Sequence, residues 1–225
     1  MSLVELLIAS AIGLFLMAGL TDFLGRSLTQ SGRNFQDARL TQDLNTAMDL
    51  MMRDLRRAGY SGTAQGVTTA AGAAANAFTQ AVVAANDGGI SLATAGCALY
   101  SYDLSASQNG ILDTAEKLGF RLHGGAVQAG TSATTCTAGN WQPVTDPALS
   151  EITGLSFHYL NAAGDVSSPQ QPFSAATFDN WVVCIRLIRI TLTGRLVGNP
   201  NVTRTVTQSV RVRNDWYRTD TTKCA

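Results

Sequence analysis

The residue types that usually perform catalysis are sparse in this chain. It has two histidines, His123 and His158, and neither belongs to a Ser-His-Asp, Cys-His or metal-ligand pattern. His123 precedes a Gly-Gly pair and is predicted to lie in a turn, while His158 alternates with two aromatic residues and is predicted on the solvent face of a strand. The glycines lack the strand-to-helix context of a phosphate-binding loop. We therefore expect no enzymatic activity and no cofactor.

The four cysteines are widely separated and form no C-x-x-C pair: Cys97, Cys136, Cys184 and Cys224. An even number of cysteines in a chain with an apolar N-terminal segment favours two disulfides in an oxidising compartment, here the periplasm or the cell surface. Four cysteines allow three pairings. We favour Cys97 with Cys136 and Cys184 with Cys224, because each pair brackets one unit of the chain.

Oxygen-bearing side chains cluster near Gly110 and resemble a calcium loop only weakly: Asp103, Ser105, Ser107, Asn109, Asp113 and Glu116. The weak candidates for calcium ligands are Asp103, Asn109 and Asp113. Their spacing departs from the D-x-[DN]-x-[DN]-G pattern, with Gln108 where the glycine is required. A polar hairpin tip explains the same residues, and we expect no metal.

The carboxylate of Glu5 directly precedes an apolar stretch, residues 6–21, that has no charged residue. A helix over residues 1–21 would be about 31 Å long, close to the thickness of the hydrocarbon core of a bilayer. A carboxylate there costs several kcal/mol unless a partner neutralises it. We expect Glu5 to pair with the N-terminal ammonium, Met1, of a neighbouring subunit; the alternative is an ordinary signal anchor with Glu5 at the membrane interface.

The helix is predicted to continue as an amphipathic segment that ends at Gly59. Apolar residues recur at spacings of three and four, and the predicted packing face consists of Leu40, Leu44, Met48, Met51 and Leu55. Arg56 and Arg57 suit the last turn of a helix. Gly25, Ser31 and Gly32 form a candidate bend or melted turn between the two halves. This face requires a sheet to cover it.

Strand signals dominate the second half of the chain. We predict strands at residues 97–104, 118–122, 141–144, 155–160, 181–196 and 202–213, with the last two joined as a hairpin through residues 197–201. Residues 61–96 and 124–139 are predicted as loops, the former with local helix over residues 73–85. The predicted domains are the membrane half of the helix (1–24), its amphipathic half (25–60), a connecting loop (61–96) and an antiparallel β-sheet domain with loops (97–225).

The formal net charge is zero, so no overall field attracts nucleic acid. The basic residues are nevertheless concentrated after residue 185: Arg186, Arg189, Arg195, Arg204, Arg211, Arg213, Arg218 and Lys223. We interpret them as the solvated face of a sheet. The alternative, a membrane-anchored module that binds DNA or another ligand, requires Arg186, Arg189, Arg211 and Arg213 to form one exposed patch.

The N-terminus resembles that of type IV pilins and pseudopilins. The motif is S-L-V-E-L-L-I-A at residues 2–9, followed by A-I-G-L-F at residues 11–15. The resemblance implies an α+β type IV pilin fold, cleavage by prepilin peptidase before Met1, methylation of the new amine, and guidance of the subunit into a filament by Glu5. Met1 stands where the family usually has Phe, and we expect the sequence to be written in mature numbering.

Four further motifs resemble the PilW type of minor pilin: R-D-L-R-R-A-G-Y at 53–60, L-Y-S-Y-D-L at 99–104, L-T-G-R-L at 192–196 and V-R-V-R-N-D at 210–215. The resemblance implies a subunit that joins other minor pilins and the major pilin in a priming complex at the pilus tip. It also implies help in presenting a large tip adhesin, and hence a role in adhesion and twitching motility. The implied location is the inner membrane, with a periplasmic domain, and the pilus tip. The alternative within the family is a type II secretion pseudopilin of the J type.

Overall fold

The computed structural model describes residues 2–63, 76–80, 90–93, 96–104, 108–166, 173–178, 181–218 and 224. The helices in these ranges are α1 (Leu3–Arg57) and α2 (Ala77–Gln80). The strands are β1 (Ile90–Ala93), β2 (Cys97–Ser101), β3 (Lys117–His123), β4 (Ala126–Thr131), β5 (Asn140–Pro143), β6 (Ser150–Tyr159), β7 (Phe173–Phe178), β8 (Trp181–Ile185), β9 (Leu187–Leu196), β10 (Asn199–Arg211) and β11 (Trp216–Arg218). The chain divides into an N-terminal unit, residues 1–39, and a C-terminal unit, residues 40–225.

The N-terminal unit consists of the first part of α1. Gly25, Ser31 and Gly32, where we predicted a candidate bend or melted turn, all lie within α-helix, so the melted turn is absent. A glycine inside a helix costs about 1 kcal/mol relative to alanine and a serine less, which is too little to break a helix that is hydrogen-bonded on both sides. The bend of the helix axis stays a prediction.

In the C-terminal unit, residues 40–57 of α1 pack against antiparallel sheets. Leu40, Leu44, Met48, Met51 and Leu55 are each at most 1% exposed, as the apolar periodicity predicted. They share one hydrophobic core with residues of two sheets, among them Tyr100, Phe120, Ile190 and Leu192. The fold class is confirmed as α+β, with a long N-terminal helix packed on antiparallel strands.

The end of α1 is set by Gly59. Its φ of 78° lies in the left-handed region, which glycine adopts without steric cost. Its N–H donates to the carbonyl of Ser101 on β2, at 2.8 Å, so the turn that ends the helix also joins it to a sheet.

The first sheet has five strands in the order β1-β2-β3-β4-β5. The strands predicted at residues 97–104 and 118–122 correspond to β2 and β3, which pair with each other, and the strand predicted at 141–144 corresponds to β5 at the edge. Two of its strands contradict the predictions, because β1 lies within the predicted loop 61–96 and β4 within the predicted loop 124–139. Both are rich in small residues with weak strand propensity, and their pairing with β2 and β3 supplies the missing stability.

The second sheet has the order β10-β9-β6. Along β9 the side chains alternate strictly, so that Ile188, Ile190 and Leu192 are fully buried. The predicted hairpin between β9 and β10 is present, but its turn contains only Val197 and Gly198 instead of five residues. A register shift between Asn199 and Thr203 absorbs the difference.

The third sheet has the order β11-β8-β7. Residues 181–196 were predicted as one strand, but the strand is interrupted at Arg186 and its halves, β8 and β9, lie in different sheets. Arg186 is buried, its guanidinium donates to the Asn214 carbonyl, and its own carbonyl accepts the N–H of Val212 at 3.0 Å. The one strand predicted over residues 181–196 is therefore two strands, and the antiparallel strands of the described residues form three sheets.

Candidate functional site

The first turn of α1 contains Glu5, the acidic residue that we selected from the sequence. One of its carboxylate oxygens accepts the backbone N–H of Ser2 at 3.2 Å, and the Ser2 hydroxyl accepts the N–H of Val4 at 3.4 Å. Each of these two side chains thus accepts one backbone N–H at the start of the helix, which stabilises it. We did not predict this arrangement, although S-x-x-E at residues 2–5 is the sequence pattern of a capping box. Met1, the other predicted assembly residue, lies outside the described residues.

The surface of α1 after Glu5 is apolar and open. Leu14, Phe15 and Met17 are 73%, 80% and 70% exposed. The helix contains a window with a mean hydropathy of 2.3, and by length and composition it could cross a membrane. Exposed apolar surface of this extent requires lipid or other apolar helices to cover it.

Hydroxyl groups in this segment bond within the helix. The Ser10 hydroxyl donates to the Leu7 carbonyl at 3.0 Å, and the Thr21 hydroxyl donates to the Ala18 carbonyl at 2.9 Å. Such bonds allow serine and threonine to enter an apolar environment without an unsatisfied polar group. In the sequence of residues 2–21, Glu5 is the one charged side chain. In an apolar environment its carboxylate therefore needs a positively charged partner.

In the C-terminal unit, polar contacts fix α1 on the sheets. The hydroxyl of Ser150, which is buried at the start of β6, donates to the carboxylate of Asp43. The hydroxyl of Tyr100 donates to Asp54 at 3.2 Å. Neither contact was predicted, because each joins residues that are distant in the sequence.

Burial raises the pKa of Tyr100 well above its ordinary value, and the nearby Asp54 carboxylate raises it further. Burial also raises the pKa of Tyr102, and the effect of Asp54 in the same direction is opposed by Arg57 and Arg53. The guanidinium carbon of Arg57 lies 4.7 Å from the centre of the Tyr102 ring. Both phenols therefore remain protonated in the folded chain beyond the pH at which exposed tyrosines ionise.

The four cysteines form two disulfides, Cys97–Cys136 and Cys184–Cys224. This is the pairing that we favoured from the sequence. The first bond ties β2 to the segment after β4, and the second ties β8 to the C-terminal end of the chain.

The weak calcium candidates serve local backbone geometry. One oxygen of Asp103, which is buried, accepts the N–H groups of Gly62 at 3.0 Å and Gly110 at 2.9 Å. Asn109 accepts the N–H of Ile111, and Asp113 caps a short 3-10 helix, Thr114–Glu116. Within the described ranges, no group of three His, Cys, Asp or Glu residues could hold a metal ion. Ser105 and Ser107 lie outside these ranges.

The basic residues required for the DNA-binding alternative do not form one exposed patch. Arg186 is only 1% exposed. Arg189 donates to the Gly164 carbonyl at 2.7 Å, and Arg211 lies 3.4 Å from the carboxylate of Asp215. The single exposed patch of arginines that DNA binding requires is therefore not formed by these residues.

The two histidines lie on strands of different sheets. His123 is the exposed last residue of β3, and the turn that we assigned to it is formed by the glycines that follow. His158 is half-buried on β6 and alternates with the buried Phe157 and Tyr159, so it lies on the strand face away from the core, as predicted. It is opposite Arg189 of β9, and its Nδ1 is buried without a hydrogen-bond partner. In the described part of the chain, neither imidazole forms a hydrogen bond with a residue that could act with it in catalysis.

A long helix with an exposed apolar first part, packed further along on antiparallel sheets, defines a pilin-like α+β protein. The family model of prepilin peptidase-dependent protein B, PpdB, matches residues 33–212. The chain therefore belongs to this family, which is a type IV pilin-related family of minor pilins. A search of curated proteins and a search of solved structures gave no match.

Proposed function

We propose that this protein is a minor pilin of the PilW type, which joins other minor pilins in the complex that initiates assembly of a type IV pilus. The observation that carries the proposal is the family match over residues 33–212, together with an N-terminal helix whose apolar surface is exposed. The role is structural, as expected of a pilin-like subunit. The four PilW-like motifs support this type within the family.

The proposed mechanism begins in the inner membrane, where residues 1–24 are inserted after processing by prepilin peptidase. The description of the family as prepilin peptidase-dependent supports this step. The apolar helix then docks laterally against those of other pilins, which exchanges lipid contacts for helix contacts. Glu5 pairs with the N-terminal ammonium of a neighbouring subunit, which removes the cost of a lone carboxylate in an apolar environment.

The proposed partners are other minor pilins, the major pilin and a large tip adhesin, so adhesion and twitching motility depend on this subunit indirectly. Two disulfides support a location of the C-terminal unit in the periplasm and later at the cell surface. No nucleic acid is expected among the partners, in keeping with the zero net charge.

A deletion strain tests the proposal if two measurements are made on the same cultures: the amount of pilin sheared from the surface, and type II export. We expect loss of surface pili with normal export. Normal piliation with failed export would instead place the protein among the J-type secretion pseudopilins. If neither changes, the protein is a membrane-anchored module outside both machines, and the proposal is wrong.

A further inference from the structure

A hollow of about 360 Å³ lies at the C-terminal end of α1 in the C-terminal unit. Its lining consists of Asp49, Met52, Arg53, Arg56, Arg57 and Arg213. Five of these residues come from the last three turns of the helix, and Arg213 comes from the segment between β10 and β11. Four arginine side chains thus line one small space.

The positive charge of the hollow is largely uncompensated. Asp49 is the one carboxylate in the lining, and Arg53 lies 3.6 Å from Asp54 beside it. In the parts of the chain that the structure describes, Arg56 and Arg213 form no ion pair with a carboxylate, and Arg57 lies over the Tyr102 ring. Like charges this close repel one another, and an anion in the hollow would relieve that cost.

Capping of the helix does not account for these arginines. Basic side chains near a helix C-terminus often bond the last carbonyls. Here the Arg56 carbonyl accepts the backbone N–H of Arg213 at 3.0 Å, and the Asn214 amide donates to the carbonyls of Arg57 at 3.3 Å and Ala58 at 3.2 Å. The same bonds hold the two sides of the hollow together, so the backbone that carries these arginines is in place before any ligand arrives.

We propose that this hollow binds an acidic segment of a partner protein, through at least two neighbouring carboxylates. A guanidinium group matches a carboxylate in a bidentate geometry. Arg56 and Arg57 follow Arg53 at i+3 and i+4, so each has its Cβ about 5–6 Å from that of Arg53, a spacing that suits several carboxylates better than one small anion. The half-buried Met52 adds an apolar surface for the stems of such side chains.

The inference deepens the proposed function and rests on it, since it specifies the chemistry of the surface that a neighbouring subunit presents. Its test uses the full-length chain in phosphatidylcholine nanodiscs and a fluorescent N-acetylated hexaglutamate peptide, with binding followed by anisotropy. The test variant is the double substitution Arg56→Gln with Arg213→Gln. The matched control, Arg33→Gln with Arg204→Gln, removes two exposed arginines from other places.

We expect the test variant to bind the peptide about tenfold more weakly than the parent, and the control to differ by less than about twofold. Equal weakening in both variants, or no binding by the parent, would overturn the inference. Inorganic phosphate and chloride are also compared as competitors at equal ionic strength. If phosphate displaces more peptide than chloride does, the ligand is a free oxyanion. This result would also overturn the inference.

The failure of this inference is distinguishable from failure of the proposed function. Peptide binding at the hollow in a protein whose deletion leaves piliation unchanged would refute only the pilus role. Loss of pili on deletion without peptide binding would refute only the inference. An unchanged thermal transition of the test variant establishes that it is folded.

Discussion

At the level of single residues, Glu5 illustrates how one side chain can have two roles. In the isolated chain its carboxylate accepts the backbone N–H of Ser2 and caps the first turn of α1. In the proposed filament the same carboxylate neutralises the N-terminal ammonium of a neighbour. The first role needs only an acceptor oxygen, whereas the second needs a negative charge. A substitution that keeps the oxygen and removes the charge separates them.

Glu5→Gln therefore tests the pairing. We expect both Glu5→Ala and Glu5→Gln to be inserted in the membrane normally but to fail in filament incorporation, because neither can neutralise an ammonium group. The measurement is the amount of this subunit in membrane fractions and in sheared pili. Asp22→Asn is the matched control, since Asp22 is an exposed acid of the same helix paired with Arg26 at 3.0 Å. Normal incorporation of Glu5→Gln would show that capping, not charge, is what the filament requires.

Tyr100 provides a test through pH. Because burial and Asp54 raise its pKa above the ordinary value of about 10, the folded chain retains the phenol proton at a pH where the unfolded chain loses it. The free energy of unfolding must then fall as the pH rises above about 10. Tyr100→Phe removes this contribution, so we expect its free energy of unfolding to fall less steeply than that of the parent between pH 9 and 11.

The same variant should be less stable than the parent at pH 7, by about 1–2 kcal/mol, because Asp54 loses the hydroxyl that donates to it. Urea unfolding at a series of pH values gives both quantities. Parallel pH profiles for the two proteins would contradict the role assigned to Tyr100.

At the level of elements, α1 has one sequence pattern in residues 3–39 and another in residues 40–57, and only the latter is covered by protein. The core side of the sheets is shaped to receive it: a Cβ on Gly194 of β9 would come within 3.0 Å of Leu44. A similar accommodation occurs at the edge of the first sheet, where a Cβ on Gly130 would lie 2.7 Å from the Trp141 ring. Because glycine has no side chain, Leu44 and Trp141 can pack closely against the strands at these positions.

Leu44→Ala tests the packing of the helix. Leu44 is fully buried, so we expect a loss of about 2–5 kcal/mol in the free energy of unfolding of the C-terminal unit. Leu28→Ala is the matched control, because the same truncation at a residue that is 74% exposed should change this quantity by less than about 0.5 kcal/mol. Both are measured by tryptophan fluorescence during denaturant unfolding. Equal effects of the two substitutions would mean that residues 40–57 do not form the core face described.

At the level of the whole molecule, the described residues of the C-terminal unit form one main hydrophobic core, two smaller clusters, three sheets and two disulfides. The core unites α1 with the first and second sheets, whereas the third sheet contributes Val182 and Cys184 to a small separate cluster with Cys224. A cluster of this size buries little apolar surface, so the disulfide supplies much of the constraint on β8 and the end of the chain.

The disulfides can be compared directly, because their sequence separations are nearly equal, 39 and 40 residues. In the chain-entropy model each removes about 4 kcal/mol of freedom from the unfolded state. We expect the double substitutions Cys97→Ser with Cys136→Ser, and Cys184→Ser with Cys224→Ser, each to lower the free energy of unfolding by about 2–4 kcal/mol. Guanidinium unfolding provides the measurement, with the reduced parent as the control. Variants as stable as the oxidised parent would refute a structural role for the bonds.

The sequence alone determined the features that depend on local periodicity: the apolar helix, the buried face from Leu40 to Leu55, the strands around residues 118–122 and 187–211, and the α+β class. Only the tertiary structure decided the features that depend on partners far along the chain. A strand rich in small residues, such as β4, forms because β3 provides the backbone groups with which it pairs. The strands β8 and β9 are separate because Arg186 turns inward to the Asn214 carbonyl. The arginine hollow likewise requires Arg213 to meet residues 53–57, more than a hundred positions earlier. Periodicity records which side of an element is buried, but a single sequence contains no local signal for which distant residue will cover it.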